Sequence, residues 1–123
     1  MSVDLSLGDE AEAIAEMIRR FARDHEGGFV RDRWNALCEL GLFTIGGAKE
    51  IVAAMEALGK ANIAGPLEGT FVTVRLLGLE HSDALTSGAA LVSLGIPPLM
   101  PWAQIAAQFV LRDGARAFRG RAL

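Results

Sequence analysis

Pro97, Pro98 and Pro101 crowd into one short stretch, and they fix where helix must stop in this chain. Each proline lacks an amide proton and holds φ near its own narrow value, so no long helix passes through. Before this stretch, apolar residues recur at helical spacing; around and after it, the apolar runs are short, with the length of strands. The texture changes near Thr86-Ser87-Gly88. The expected fold is therefore mainly α (α+β). A bundle of about four helices over residues 1–87 is followed by a short antiparallel β segment over residues 88–123, packed on the helices.

The helical part is punctuated by its own start and stop signals. Ser6 is a candidate N-cap with Asp9 at the capping-box position, and Ala11, Ile14, Ile18 and Phe21 follow at helical spacing. Acidic Asp9, Glu10 and Glu12 lead this helix and basic Arg19, Arg20 and Arg23 close it, matching the helix dipole. Glu16 is expected to pair with Arg20, and Gly27-Gly28 ends the helix. A second helix is expected from Arg31 to Leu40, with Trp34, Leu37 and Cys38 on one face, Gly41 as the left-handed stop and Leu42 folding back. After a turn over Thr44–Gly47, a third spans Ala48–Ala61, burying Ile51, Met55 and Leu58, and ends at Asn62 and Gly65. Pro66 opens a fourth, which runs to Leu77 and stops at Gly78. Its apolar residues cover most of its circumference, which predicts a central position.

Ala89 to Leu94 has the length of a buried strand. Phe109 to Leu111 and Ala115 to Phe118, separated by Asp113-Gly114, predict a hairpin with a two-residue turn.

Composition limits the function classes. A hydrophobic content of 51% is high for a 123-residue chain, and mean hydropathy is +0.31. This apolar surplus predicts a partner, a ligand cavity or an oligomer. A net charge of −3 gives no global reason to bind nucleic acid. The C-terminal Arg112, Arg116, Arg119 and Arg121 are explained by a solvated edge. Cys38 is the single cysteine, so no intrachain disulfide forms, which fits a reducing compartment. No secretory signal and no membrane-length apolar run is present, so the chain is expected to be cytoplasmic.

Several segments, taken in order, resemble the start of the acyl-CoA dehydrogenase family. Leu37-Cys38-Glu39-Leu40-Gly41-Leu42, preceded by Trp34, is similar to a Leu-x-x-Leu-Gly-Leu phrase that ends the family's second helix. Ile51 to Gly59 is similar to the helix that follows. Leu85-Thr86-Ser87-Gly88 is similar to the phrase leading into the first strand of its middle β domain. The likeness runs loosely along nearly the whole chain and rests on order and spacing; no single motif in it is specific. Departures accompany it. Only Gly46-Gly47 remains of a Pro-x-x-Tyr-Gly-Gly-like loop. Ser93-Leu94-Gly95-Ile96-Pro97 lacks the acid of a Thr-Glu-Pro phrase, and Pro98 to Trp102 is a reduced flavin loop.

The resemblance implies a truncated flavoenzyme domain. The family moves a proton from Cα to a carboxylate base and a hydride to flavin. No residue here matches the base, so no catalytic residue is expected, and FAD would bind only with a partner chain. The family helix similar to Leu67–Leu77 lines an acyl-chain cavity. That implies substrate contacts for Phe71 and Val74, which are otherwise core residues. Arg75 on the same helix is a candidate contact for a thioester or a partner's carboxylate, or else a solvated residue. Trp102 is a pocket cap or a core anchor.

Other polar groups carry less. His81-Ser82-Asp83 is a run of neighbours rather than a triad, with Ser82 the N-cap of a short turn. His25 between Asp24 and Glu26 belongs to a helix end, and two histidines without helical ligand spacing make no metal site. Two functions follow. One is an accessory or half-enzyme subunit, paired with a companion acyl-CoA-dehydrogenase-like protein that supplies flavin and base. The other is a flavin-free homo-oligomeric module that binds or transforms a small hydrophobic molecule or acyl thioester. An inactive remnant is the third possibility.

Overall fold

The structure, a computed structural model, describes residues 8–25, 27–113 and 116–121. They are mainly α-helical with a short three-stranded sheet, in the fold class expected. Two compact units interleave along the chain. One comprises residues 1–28 and 45–63, the other residues 29–44 and 64–123, so neither unit ends at residue 88.

The first unit holds α1 (Asp9–Asp24) and α3 (Ala48–Lys60), which pack together. Gly8 is the N-cap of α1 and no side chain caps it; the expectation for Ser6 lies outside the described residues. Ala11, Ala15, Ile18 and Phe21 are buried. Glu16 does not pair with Arg20. It takes Arg19 at 3.1 Å and Arg23 at 3.5 Å, because both lie on one side of it along the helix while Arg20 lies on the other. The Arg19 guanidinium, hydrogen-bonded to Glu16, holds that carboxyl below its ordinary range. At the C-terminus, His25 stacks on Phe21 and its Nδ1 donates to the Phe21 carbonyl at 3.1 Å, covering one open acceptor of the helix end.

The buried face of α3 differs from the one expected. Ala53, Ala54, Ala57 and Leu58 are buried, Ile51 is half-buried, and Met55 and Val52 are exposed. Small residues let two helix axes approach closely, and Ala15 of α1 shares a crevice with Ala53 and Ala57 of α3. The larger residues are thereby rotated outward. The helix ends in a Schellman motif. Asn62 takes φ 55°, its amide bonds the Gly59 carbonyl at 3.1 Å, and the Ile63 amide bonds that of Leu58 at 3.2 Å.

The second unit holds α2 (Arg31–Glu39), a 3₁₀ turn at Leu42–Thr44, α4 (Leu67–Leu77), a 3₁₀ turn at Leu79–His81, and α5 (Asp83–Thr86). These are followed by β1 (Val92–Gly95), β2 (Gln108–Asp113) and β3 (Arg116–Arg121). Gly41 stops α2 at φ 80° with its amide on the Cys38 carbonyl, and Leu42 is fully buried, both as expected. Ser82 precedes α5, but its hydroxyl does not cap the turn. It donates to the Gly78 carbonyl at 2.7 Å.

The sheet has the order β1-β2-β3. The β2–β3 hairpin is antiparallel, whereas β1 runs parallel to β2. A parallel pair needs a crossover of a dozen residues or more, and residues 96–107, with their three prolines, supply it without a helix. Asp113 pairs with Arg116, so the hairpin connection is residues 114–115, one position later than expected and outside the described residues.

Helix α4 packs on β1. Val74, Leu85, Val92 and Val110 form a core joined by Ala90 and Leu94. The helix is not buried all round, contrary to its apolar pattern: Val72 is 43% and Leu76 62% exposed, because the sheet and the short turns cover only one side. Where helix gives way to strand, Arg31 donates to the Gly88 and Ala89 carbonyls at 2.7 and 2.8 Å. Gly88 takes φ 84°, and a Cβ there would stand 2.6 Å from Asn35 Oδ1.

Candidate binding cleft

A cleft of about 300 Å³ opens in the second unit at the start of α4. That volume is at the lower end of small-molecule sites. Three segments build it. The first is Gly65-Pro66-Leu67-Glu68-Gly69. Gly65 takes φ 148°, and a Cβ on it would stand 2.5 Å from two carbons of the Trp34 indole, so the backbone lies directly on that ring. Pro66 then starts the helix: its carbonyl accepts the Thr70 amide at 3.0 Å and the Thr70 hydroxyl at 2.6 Å.

The second wall is β1, through Val92 and Leu94. Gly69 faces them closely: a Cβ there would lie 3.2 Å from the Leu94 Cβ. Absence of a side chain at Gly69 lets α4 settle on the strand. The third wall is Pro101 and Trp102 of the crossover. This loop is tied back to the sheet: the Ala107 and Gln108 amides bond the Leu91 carbonyl at 3.0 and 3.2 Å. Trp102 has φ 65°, a left-handed conformation rare for an aromatic residue, and its carbonyl accepts the Ile105 and Ala106 amides.

The lining is aliphatic, prolyl and indole, with Glu68 as its one ionisable side chain. Such a surface holds an apolar moiety by enclosure and offers a single carboxylate near the mouth. It contains no pair of groups for nucleophile activation or for proton relay. Among the described residues, no cluster of His, Cys, Asp and Glu could hold a metal ion. Cys38 is buried, with its Sγ 4.0 Å from the Leu85 carbonyl oxygen, and burial pushes its thiol from an ordinary 9.0 up to about 11. It is a neutral packing residue at physiological pH.

The residues singled out from sequence are placed as follows. Phe71 is buried against Phe43, ring centroids 4.9 Å apart. Val74 belongs to the core, and Arg75 is exposed. None of the three lines this cleft, which engages the first turn of α4 rather than its middle. Trp102 does line it. Its ring leans on Phe29, and rings continue from Phe29 to Trp34, Phe43 and Phe71. Phe71 thus backs the cleft through an aromatic series. His81 and Asp83 are exposed and Ser82 is buried, so the three do not converge. Glu68 and Gly69 escaped sequence reasoning, and Gly65 was read there only as a helix-end residue; the Gly-Pro phrase before α4 was their one local signal.

No known protein family, no curated protein and no solved structure matches this chain. Among the described residues, no helix is long and apolar enough to cross a membrane.

Proposed function

We propose that this chain is a binding module for a small hydrophobic molecule, the acyl part of a thioester among the candidates, held in the cleft between α4, β1 and the Trp102 loop. The cleft itself carries the reading: a half-open groove of ligand size, lined by aliphatic and prolyl side chains with one indole wall. The resemblance to an acyl-CoA dehydrogenase start supplies the candidate ligand class. Phe71 and Val74 then shape the cleft from behind, and Arg75, exposed and outside the cleft lining, is left to a partner's carboxylate. Tryptophan fluorescence of the full chain titrated with octanoyl-CoA, octanoate and free CoA tests this. Saturable quenching by the two octanoyl compounds, lost in Trp102→Ala, is expected; quenching by none of them would sink the reading.

The second reading is an accessory subunit of a companion acyl-CoA-dehydrogenase-like flavoenzyme. One observation favours it: the described side chains of β3 are all exposed, and β3 pairs only with β2 among the described residues. Proteins cover such edges. FAD belongs only to this reading. The cleft alone does not fit a flavin dinucleotide: it is only about 300 Å³, and its one ionisable side chain, Glu68, is a carboxylate, so no cationic side chain is there for a pyrophosphate. Co-expression with such a companion is expected to yield a flavin-containing complex. Separate, non-associating chains would count against it.

A further inference from the structure

We propose that the outer edge of β3 receives an extended segment of another protein whose side chains alternate acidic and apolar. The proposal specifies the partner in the accessory-subunit reading and rests on that reading for there being one. It involves neither flavin nor the cleft.

Residues opposite one another in a sheet share a face. The register sets Arg112 beside Ala117, Val110 beside Arg119 and Gln108 beside Arg121. One face therefore carries Arg112, Arg119 and Arg121. Leu111 pairs with Phe118 and Phe109 with Gly120 on the other face. Phe118 is 46% exposed. Arg119 donates to Gln108 Oε1 at 3.2 Å, which steadies its guanidinium along the sheet while leaving it exposed.

A strand added to this edge meets a fixed pattern. Its residues facing Arg119 and Arg121 share their face, so acidic side chains at every second position form opposite-charge cross-strand pairs. The residue between them lies beside Gly120, and the one beyond the residue facing Arg119 lies beside Phe118. A Cβ at Gly120 would meet nothing within 4 Å, so an aromatic side chain opposite it can lie over the glycine and against Phe118. The matching segment thus reads acidic–aromatic–acidic with apolar flanks, bound by strand addition. A second copy of β3 fits worse, since it would gather Arg119 and Arg121 of both chains on one face. Nucleic acid also fits worse. A strand edge alternates N–H donors with C=O acceptors, and phosphate answers only the donors.

Fluorescence anisotropy with the full chain tests the proposal. The probes are a labelled peptide alternating Glu with Phe and Val, its Lys-for-Glu counterpart, and the acidic peptide N-methylated at alternate residues. The acidic peptide is expected to bind at least tenfold more tightly than the basic one, with N-methylation abolishing binding. The double variant Arg119→Glu, Arg121→Glu is expected to reverse the preference. Hydrogen exchange on the unaltered chain should show protection of residues 117–121 by the acidic peptide, a readout independent of the variant's folding. Equal affinity for acidic and basic peptides, no protection of those amides, tighter binding of a single-stranded oligonucleotide, or self-association through β3 would each overturn it. A companion flavoprotein that binds the double variant undiminished also overturns it, yet leaves the subunit reading standing. Selective binding of the acidic peptide with no flavin-containing complex does the reverse.

Discussion

The indole of Trp102 leans on the ring of Phe29, centroids 5.3 Å apart and planes at 51°. The contact pins the crossover loop to the segment preceding α2, and it gives the cleft a wall that is 37% exposed yet positioned. Trp102→Ala removes that wall and one tilted aromatic pair. Unfolding in urea is expected to show a loss of about 1 kcal/mol. Affinity for octanoyl compounds is expected to fall by an order of magnitude or more. Wild-type affinity in the variant would separate ligand binding from the cleft.

Gly65 is required by both conformation and space. At φ 148° an L-residue is strained, and a Cβ there collides with Trp34. Gly65→Ala is expected to destabilise by ~2–3 kcal/mol or more. Gly59, inside α3, has nothing within 4 Å of a built Cβ and no positive φ. Gly59→Ala is expected to stabilise by about 0.5–1 kcal/mol through helix propensity. Denaturant midpoints of the two variants should move in opposite directions.

These two glycines mark how far local sequence reaches. Gly41 and Asn62 were legible as helix stops because left-handed stops are a short-range device with a preferred residue type. The alanine face of α3 was not. Hydropathy ranks Ile51 and Met55 above Ala53 and Ala57, whereas the approach of α1 selects for size. The hairpin was legible from alternation, although Asp113 belongs to its first strand and not to the turn; the parallel β1–β2 pairing depends on how residues 96–107 return to the Leu91 carbonyl, which no local pattern records. Trp102 stood out as an aromatic among prolines. Gly69 did not, and Gly65 did so only as a helix end, because their need for a bare Cα comes from Trp34 and Leu94, distant in sequence.

Cys38 provides a pH-dependent check. Desolvation raises its thiol to about 11 in the folded chain, above its ordinary 9.0. The protonated form is thus favoured by folding. The associated stability is fully present below pH 9 and is lost as pH rises through about 11. Cys38→Ala is expected to lack that step relative to wild type. Iodoacetamide should leave folded Cys38 unmodified at pH 8 and label it promptly in urea; rapid labelling of the folded chain would contradict its burial.

Arg31 ties the start of α2 to the start of the strand segment through the carbonyls of Gly88 and Ala89. These are charge-assisted bonds, but the side chain is exposed, so the lower end of their range applies. Arg31→Ala is expected to cost about 1.5 kcal/mol. Arg31→Lys is expected to recover only part, because one ammonium does not reproduce the guanidinium's planar donors. Full recovery by lysine would show that charge alone is at work.

Thr73 on α4 and Ser93 on β1 are buried hydroxyls whose oxygens have no hydrogen-bond partner among the described residues. An unmet buried hydroxyl costs free energy, and an apolar replacement of the same shape removes that cost. Thr73→Val keeps the β-branched shape and is expected to stabilise by ~1 kcal/mol. Ser93→Ala, which leaves only a small void, is expected to be neutral or slightly stabilising. Both substitutions leave the cleft lining unaltered, so octanoyl binding should be unchanged. If Thr73→Val destabilises instead, the hydroxyl has a partner in solution; if it also weakens octanoyl binding, that partner is linked to the ligand, and the binding region extends along α4 beyond its first turn.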